Sequence, residues 1–163
     1  MRARTDDLSP DQRQILDDVE AQGLHIAVVA GDDGDDDGPP PHVASVGLWE
    51  SFGQPEVVVF GLPTEVAAEL LESIADEADE GHTFLDGTRH EGLLRDYPVR
   101  FVAVPKAHYA ACFGAACWAY EGCDFPAVQL VWPDKQGRWP WDPAAREGFR
   151  AAQPVLGRAD AGA

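Results

Sequence analysis

Basic residues are what this chain has least of. Twelve Lys and Arg stand against twenty-nine Asp and Glu in 163 residues, a formal charge of −17. A surface of that sign repels phosphates, which excludes nucleic acid and anionic membrane as expected partners. It would attract a cationic ligand, a basic protein or a divalent metal, but solubility in a salty or acid-biased proteome explains the charge without any partner. Long apolar runs are missing too. No stretch approaches twenty residues, and no signal-peptide core follows the opening MRARTDDLSPDQ. Cysteine is scarce, and three is an odd number, which argues against a disulfide framework. Together these absences lead to the expectation of a cytoplasmic protein.

The fingerprints of familiar chemistry are absent as well. Neither G-x-G-x-x-G nor a Walker pattern occurs, so the common nucleotide cradles are excluded. There is no C-x-x-C, and no G-x-S-x-G to form a nucleophile elbow.

What is present is an ordinary globular composition, 45% hydrophobic and 25% charged, in a chain long enough for one good core. A single domain is expected over residues 9–156, with disordered ends at 1–8 and 157–163. Ser9-Pro10 supplies an N-cap and a first-turn proline, Ile15, Leu16 and Val19 recur at helical spacing, and Gly23 ends that helix. Residues 24–30 (LHIAVVA) read as a strand. Residues 42–48 (HVASVGL) and 56–60 (EVVVF) read as an antiparallel pair. Pro63 opens the clearest helix, with Val66, Leu70, Ile74 and Ala78 every four residues and Leu71 and Ala75 widening the stripe. Asp86-Gly87 is a hairpin signal, residues 97–104 alternate as a strand with both faces partly covered, and 106–120 is helical in composition. Asp142-Pro143 caps a last helix that Pro154 ends. These elements predict an α+β fold: an antiparallel sheet, open or barrel-like, with one central amphipathic helix and peripheral helices.

Residues 31–41 (GDDGDDDGPPP) form an acidic, solvated loop. Asp33, Asp35, Asp37 and Gly38 match the first half of a calcium-binding loop, but Ala44 stands where the bidentate Glu belongs. A plain like-charge loop is the better reading.

The richest stretch is 125–142 (FPAVQLVWPDKQGRWPWD), with three of the five tryptophans. A turn at Pro133–Gly137 between apolar arms 127–132 and 138–141 reads as a β-hairpin. HVASVGL, the following GQPE and VVVFGLP, then YPVRFV, QLVWPD and PWD resemble domain-of-unknown-function family 4262, a bacterial family, over roughly residues 24–154. The resemblance implies no agreed activity and no catalytic residues. It marks Ser45, Gly47, Pro55, Glu56, Gly61, Gln129, Trp132, Pro133, Asp134 and Asp142 as motif positions. Relatives usually carry an aromatic residue before the Ser/Thr-x-Gly-Leu motif and a His before Pro-Glu, where this chain has Ala44 and Gln54.

Weighed for chemistry, most candidates have a plainer reading. His108, Cys112, Cys117 and Cys123 form the one His/Cys cluster, but their spacing fits no metal pattern and buried free cysteines serve as hydrophobes. Ser45 reads as a strand hydroxyl satisfied by backbone, although His25 and His42 would approach it if their strands pair. Glu56 reads as a turn-flanking carboxylate, with a buried acid of raised pKa as the alternative. The aromatic stretch either lids the core or lines a pocket for a flat ligand or peptide. The expectation is a non-enzymatic binding or accessory domain for a small molecule or partner protein, with Ser45, Gln129, Trp132, Asp134, Arg138, Trp139, Trp141 and Asp142 as candidate ligand-binding residues and a homodimer as an option. The alternatives are a flavin- or deazaflavin-binding split-barrel oxidoreductase, with Arg89, Arg95 and Arg100 available for the phosphate, and a metal-dependent hydrolase using His25 and His42. No cofactor or resident metal is assigned.

Overall fold

The computed structural model describes residues 1–3, 5–29 and 40–157. The calcium-loop reading therefore lies outside the described residues.

Helix α1 (Pro10–Gln22) starts where its cap dictates. The Ser9 hydroxyl accepts from Gln12 N–H at 3.2 Å, and the Gln12 side chain accepts from Ser9 N–H at 2.9 Å. Gly23, at φ 80°, closes it. The chain continues through β1 (His25–Val29), β2 (His42–Val46), α2 (Leu48–Phe52), β3 (Glu56–Phe60) and α3 (Thr64–Asp79). Then come β4 (Arg89–Leu94), β5 (Tyr97–Ala103), a 3-10 turn (Lys106–His108), α4 (Tyr109–Cys112), α5 (Gly114–Ala119), β6 (Ala127–Val131) and α6 (Glu147–Ala152).

Among the described residues the strands make one six-stranded sheet, in the order β1-β2-β3-β6-β5-β4. Every neighbouring pair is antiparallel except β3 with β6. This is the expected α+β architecture. The sheet is open, with β1 and β4 as its edges, so the barrel-like option is not realised. β6 enters between β3 and β5, which leaves it paired on both sides.

Both faces of the central strands are covered, which is why HVASV and EVVVF are buried along their whole length. On one face α3 lays Leu70, Leu71 and Ile74 onto Val43, Val57, Val59, Val99, Phe101 and Leu130. Burying each of those three helix side chains contributes about 1.5–3 kcal/mol. On the other face Ile15 and Val19 of α1, Cys112 of α4, Ala116 of α5 and Phe113 between those two helices cover Ala44, Val46, Val58 and Phe60.

Several expectations need correction. Residues 138–141 form no strand. A turn bonds Asp134 N–H to the Arg138 carbonyl at 2.8 Å and Gly137 N–H to the Asp134 carbonyl at 2.9 Å. No hairpin grows from it because β6 has no free edge left to pair with a second arm. Asp86-Gly87 does form a turn, but the hairpin is β4–β5, joined through Arg95 and Asp96 with Asp96 at φ 67°. Residues 106–120 make three short helical pieces, broken where Phe113 leaves helical geometry at φ −125° and ψ 36°. The last helix starts at Glu147, because Asp142 spends its carboxylate on Ala144 N–H, at 2.9 Å, in a preceding turn. Finally, Cys117 and Cys123 are joined in a disulfide, with Cα atoms 4.8 Å apart, and Cys112 is free and buried. An odd count excludes complete pairing, not one bridge.

Candidate functional site

The most polar buried cluster surrounds Glu56, the first residue of β3. Its side chain is shut away from solvent, so the turn-flanking reading is overturned. Oε1 accepts from the Ser45 hydroxyl at 2.7 Å and Leu48 N–H at 3.2 Å. Oε2 accepts from Gly47 N–H at 3.1 Å, Trp49 N–H at 3.2 Å and the Tyr120 hydroxyl at 2.5 Å. Three of these five donors are backbone groups at the start of α2, so the carboxylate caps that short helix from the strand that follows it. Burial pushes the Glu56 carboxyl up from its ordinary value, with the Tyr120, Ser45, Trp49 and Gly47 donors holding it back. Burial, followed by the Glu56 charge, pushes the Tyr120 phenol far up as well.

The Ser-x-Gly-Leu and Pro-Glu motifs thus meet in one lock. Ser45 donates to Glu56 and accepts from Val57 N–H at 2.8 Å, so its donor and one of its two acceptor positions are engaged within the fold. Gly47 sits at φ 110°, and a Cβ there would come within 2.7 Å of the Gly23 carbonyl oxygen. Neither histidine joins Ser45. The His25 ring is held by Asp18 at 2.8 Å and the His42 ring by the Pro40 carbonyl at 2.9 Å. In the β1–β2 register His25 faces Val46 and His42 faces Val29, opposite ends of the pair. Among the described residues no three His, Cys, Asp or Glu side chains converge as a metal site would require.

A second cluster fixes the C-terminal segment to β6. The Gln153 side chain accepts from Trp132 N–H at 2.8 Å and donates to the Trp132 carbonyl at 2.9 Å, as a neighbouring strand would. Gln129 donates to the Pro154 carbonyl at 2.7 Å and accepts from Leu156 N–H at 2.9 Å. Both amides are fully buried. The Trp132 indole donates to the Phe60 carbonyl at 2.8 Å and packs edge-on against Phe149. A Cβ on Gly61 would come within 3.0 Å of that indole.

The third cluster carries the remaining aromatic residues. The Trp139 and Trp141 rings stack, 5.4 Å between centroids and 3° from parallel, and both are half-buried. The Arg100 guanidinium stands 5.4 Å from one ring and 5.9 Å from the other. Its Nε is buried with no hydrogen-bond partner among the described residues. Asp134 holds the loop beneath them, accepting from Arg138 Nε at 2.8 Å and from the backbone of Gln136 and Arg138 at 2.9 Å. Against the opposing effect of burial, those donors hold the Asp134 carboxyl below its ordinary value. Arg138 also donates to the Ala144 carbonyl, and Asp142 receives Arg150 on its own carbonyl.

The expected ligand-binding residues therefore fall into three groups. Trp139, Trp141, Asp134, Arg138 and Asp142 share the loop. Trp132 and Gln129 belong to the clamp behind it. Ser45 is three strand spacings from β5, roughly 14 Å away. Sequence reasoning missed Tyr120, Gln153 and the place of Arg100 over the tryptophans. Each depends on a contact between residues far apart in sequence, 64 positions for Tyr120 with Glu56. A separate apolar cavity of about 180 Å³ lies between β1–β2 and α4–α5, lined by Ala27, Ala44, Val46, Phe113 and Ala116 with the Cys112 thiol. Burial pushes that thiol up to about 11, which makes it a poor nucleophile.

Compared with known proteins, residues 18–146 match the model of a domain of unknown function, DUF4262. No curated protein and no solved structure matches the chain.

Proposed function

The chain belongs to the DUF4262 family, and we propose that it is a non-enzymatic binding domain that takes a small flat molecule on its aromatic loop. The observation that carries this reading is the Arg100 guanidinium bridging two half-exposed, parallel tryptophans while its Nε lacks a partner. A stacked indole pair is a ready face for another planar group, and the arginine adds a polar handle beside it. The other polar clusters support the division of labour. Glu56, Ser45, Gln129 and Gln153 have their hydrogen-bonding groups directed at other parts of the chain, which suits a scaffold.

The test is a fragment screen read through the indole N–H resonances, with native mass spectrometry of freshly purified protein alongside it. Trp139 and Trp141 should shift together while Trp49 and Trp118 stay still. Trp139→Ala should abolish binding and keep the fold cooperative, with a melting temperature lowered by several degrees only. Hits that move other tryptophans, or that survive Trp139→Ala unchanged, would reject the reading.

A further inference from the structure

Seven of the twelve cations fall within residues 89–100 and 132–152, against five of the twenty-nine acids. That region is net +2, while the rest of the chain is −19. The concentration has a structural centre. Arg89 and Arg100 are register partners on β4 and β5, so their side chains leave the same face of the sheet side by side. Like charges directly opposite are unfavourable unless something of opposite sign joins them. Among the described residues Arg89 has only a loose contact, with Glu91 at 3.7 Å, and its side chain is 52% exposed. Arg100 leans on Trp139 and Trp141 and leaves Nε unused. Arg138, by contrast, is fully engaged with Asp134, Gln136 and Ala144. Two arginines side by side on one face of the sheet, neither in a close ion pair, beside an indole stack are complementary to a carboxylate carried on a ring.

Resting on the binding reading above, we propose that the ligand is a planar aromatic carboxylate, its carboxylate held between Arg89 and Arg100 and its ring against Trp139 and Trp141. The overall charge of −17 opposes any anion at long range. That opposition is screened beyond about 8 Å in physiological salt, whereas the two arginines act at contact distance. The local pair therefore decides selectivity.

The test titrates the full chain with 1-naphthoate, with its neutral isostere 1-naphthamide and with 1-naphthylmethylammonium, by calorimetry and indole N–H shifts. Naphthoate should bind at least roughly ten-fold tighter than the amide, the scale of one charge-assisted hydrogen bond. Arg100→Gln should remove that preference. Arg89→Gln, at an exposed position that leaves the core untouched, should reduce it in the same direction even if Arg100→Gln fails to fold. Equal binding of naphthoate and naphthamide at Trp139 and Trp141 would overturn the carboxylate proposal and leave the aromatic site standing. Preference for the ammonium compound would overturn it too. No shift at either tryptophan by any of the three would remove the site along with its ligand class.

Discussion

The Tyr120 hydroxyl stands 2.5 Å from Glu56 Oε2, joining the end of α5 to the first residue of β3 across 64 positions of sequence. It also accepts from Glu50 N–H at 3.2 Å, so one phenol links strand, helix and loop. Removing it leaves a buried carboxylate short of a donor. Tyr120→Phe should destabilise the fold by about 1.5–3 kcal/mol, the range for a hydrogen bond to a charged group. Urea unfolding checks this, and a midpoint unchanged from wild type would show that the contact carries no stability.

The same carboxylate should give the stability curve a definite slope. Burial raises the folded-state value of Glu56 above the ordinary 4.5. A raised acid favours the protonated fold, so its contribution is fully present below about pH 4.5 and is lost as pH rises through the higher folded value. Glu56→Gln, which stays neutral throughout, should gain on wild type in melting temperature as pH rises from 4.5 towards neutrality. The opposite trend would mean that the five donors outweigh burial and hold the group ionised.

Gly47 tests the lock from its backbone side. At φ 110° an L side chain is strained, and its Cβ would press on the Gly23 carbonyl. Gly47→Ala should cost on the order of 1–3 kcal/mol from the backbone conformation alone. Gly81→Ala is the internal control, because φ 97° strains it similarly while nothing lies within 4 Å of its Cβ. The difference between the two midpoints isolates the clash.

Local signals made much of this fold legible. The Ser9 cap, the Gly23 stop, the α3 stripe and the two buried strands are set by neighbours in sequence, and each appears as its residues dictate. What the sequence hid is where strands sit in the sheet. β6 reads as one arm of a hairpin because Trp139 and Trp141 follow a good turn, yet its partners are β3 and β5. β4 (RHEGLL) escapes notice because charge, Gly92 and an irregular register blur its alternation. The burial of Glu56 stands in the sequence only as the second of two readings, since the groups that satisfy it come from β2, α2 and Tyr120.

The disulfide offers a chemical check on the cysteines. In oxidised, native protein no thiol should react quickly with Ellman's reagent, because Cys112 is buried and its thiol is pushed up to about 11. Reduction should expose two reactive thiols, Cys117 and Cys123. Closing so short a loop, six positions apart, is worth about 2 kcal/mol by chain entropy, so reduction should lower the melting temperature modestly. One fast thiol before reduction would place Cys112 at the surface.

The two kinds of tryptophan should separate cleanly under mutation. Trp132 donates to Phe60, packs against Phe149, and has its backbone clamped by Gln153. Truncating it opens the junction between β3, β6 and the C-terminal segment, and Trp132→Ala should cost about 3–5 kcal/mol. Trp139 loses its stack with Trp141 and the Arg100 contact, two effects that sum to about 1–2 kcal/mol, on top of the part of its half-buried ring that is covered. If the loop were simply a lid on the core, both substitutions would destabilise alike. A large loss at Trp132 with a small one at Trp139 is what a surface kept for another molecule requires, because the second indole is then held mainly for something other than stability. Paired urea titrations of the two variants give that comparison directly, and comparable losses would return Trp139 to the core.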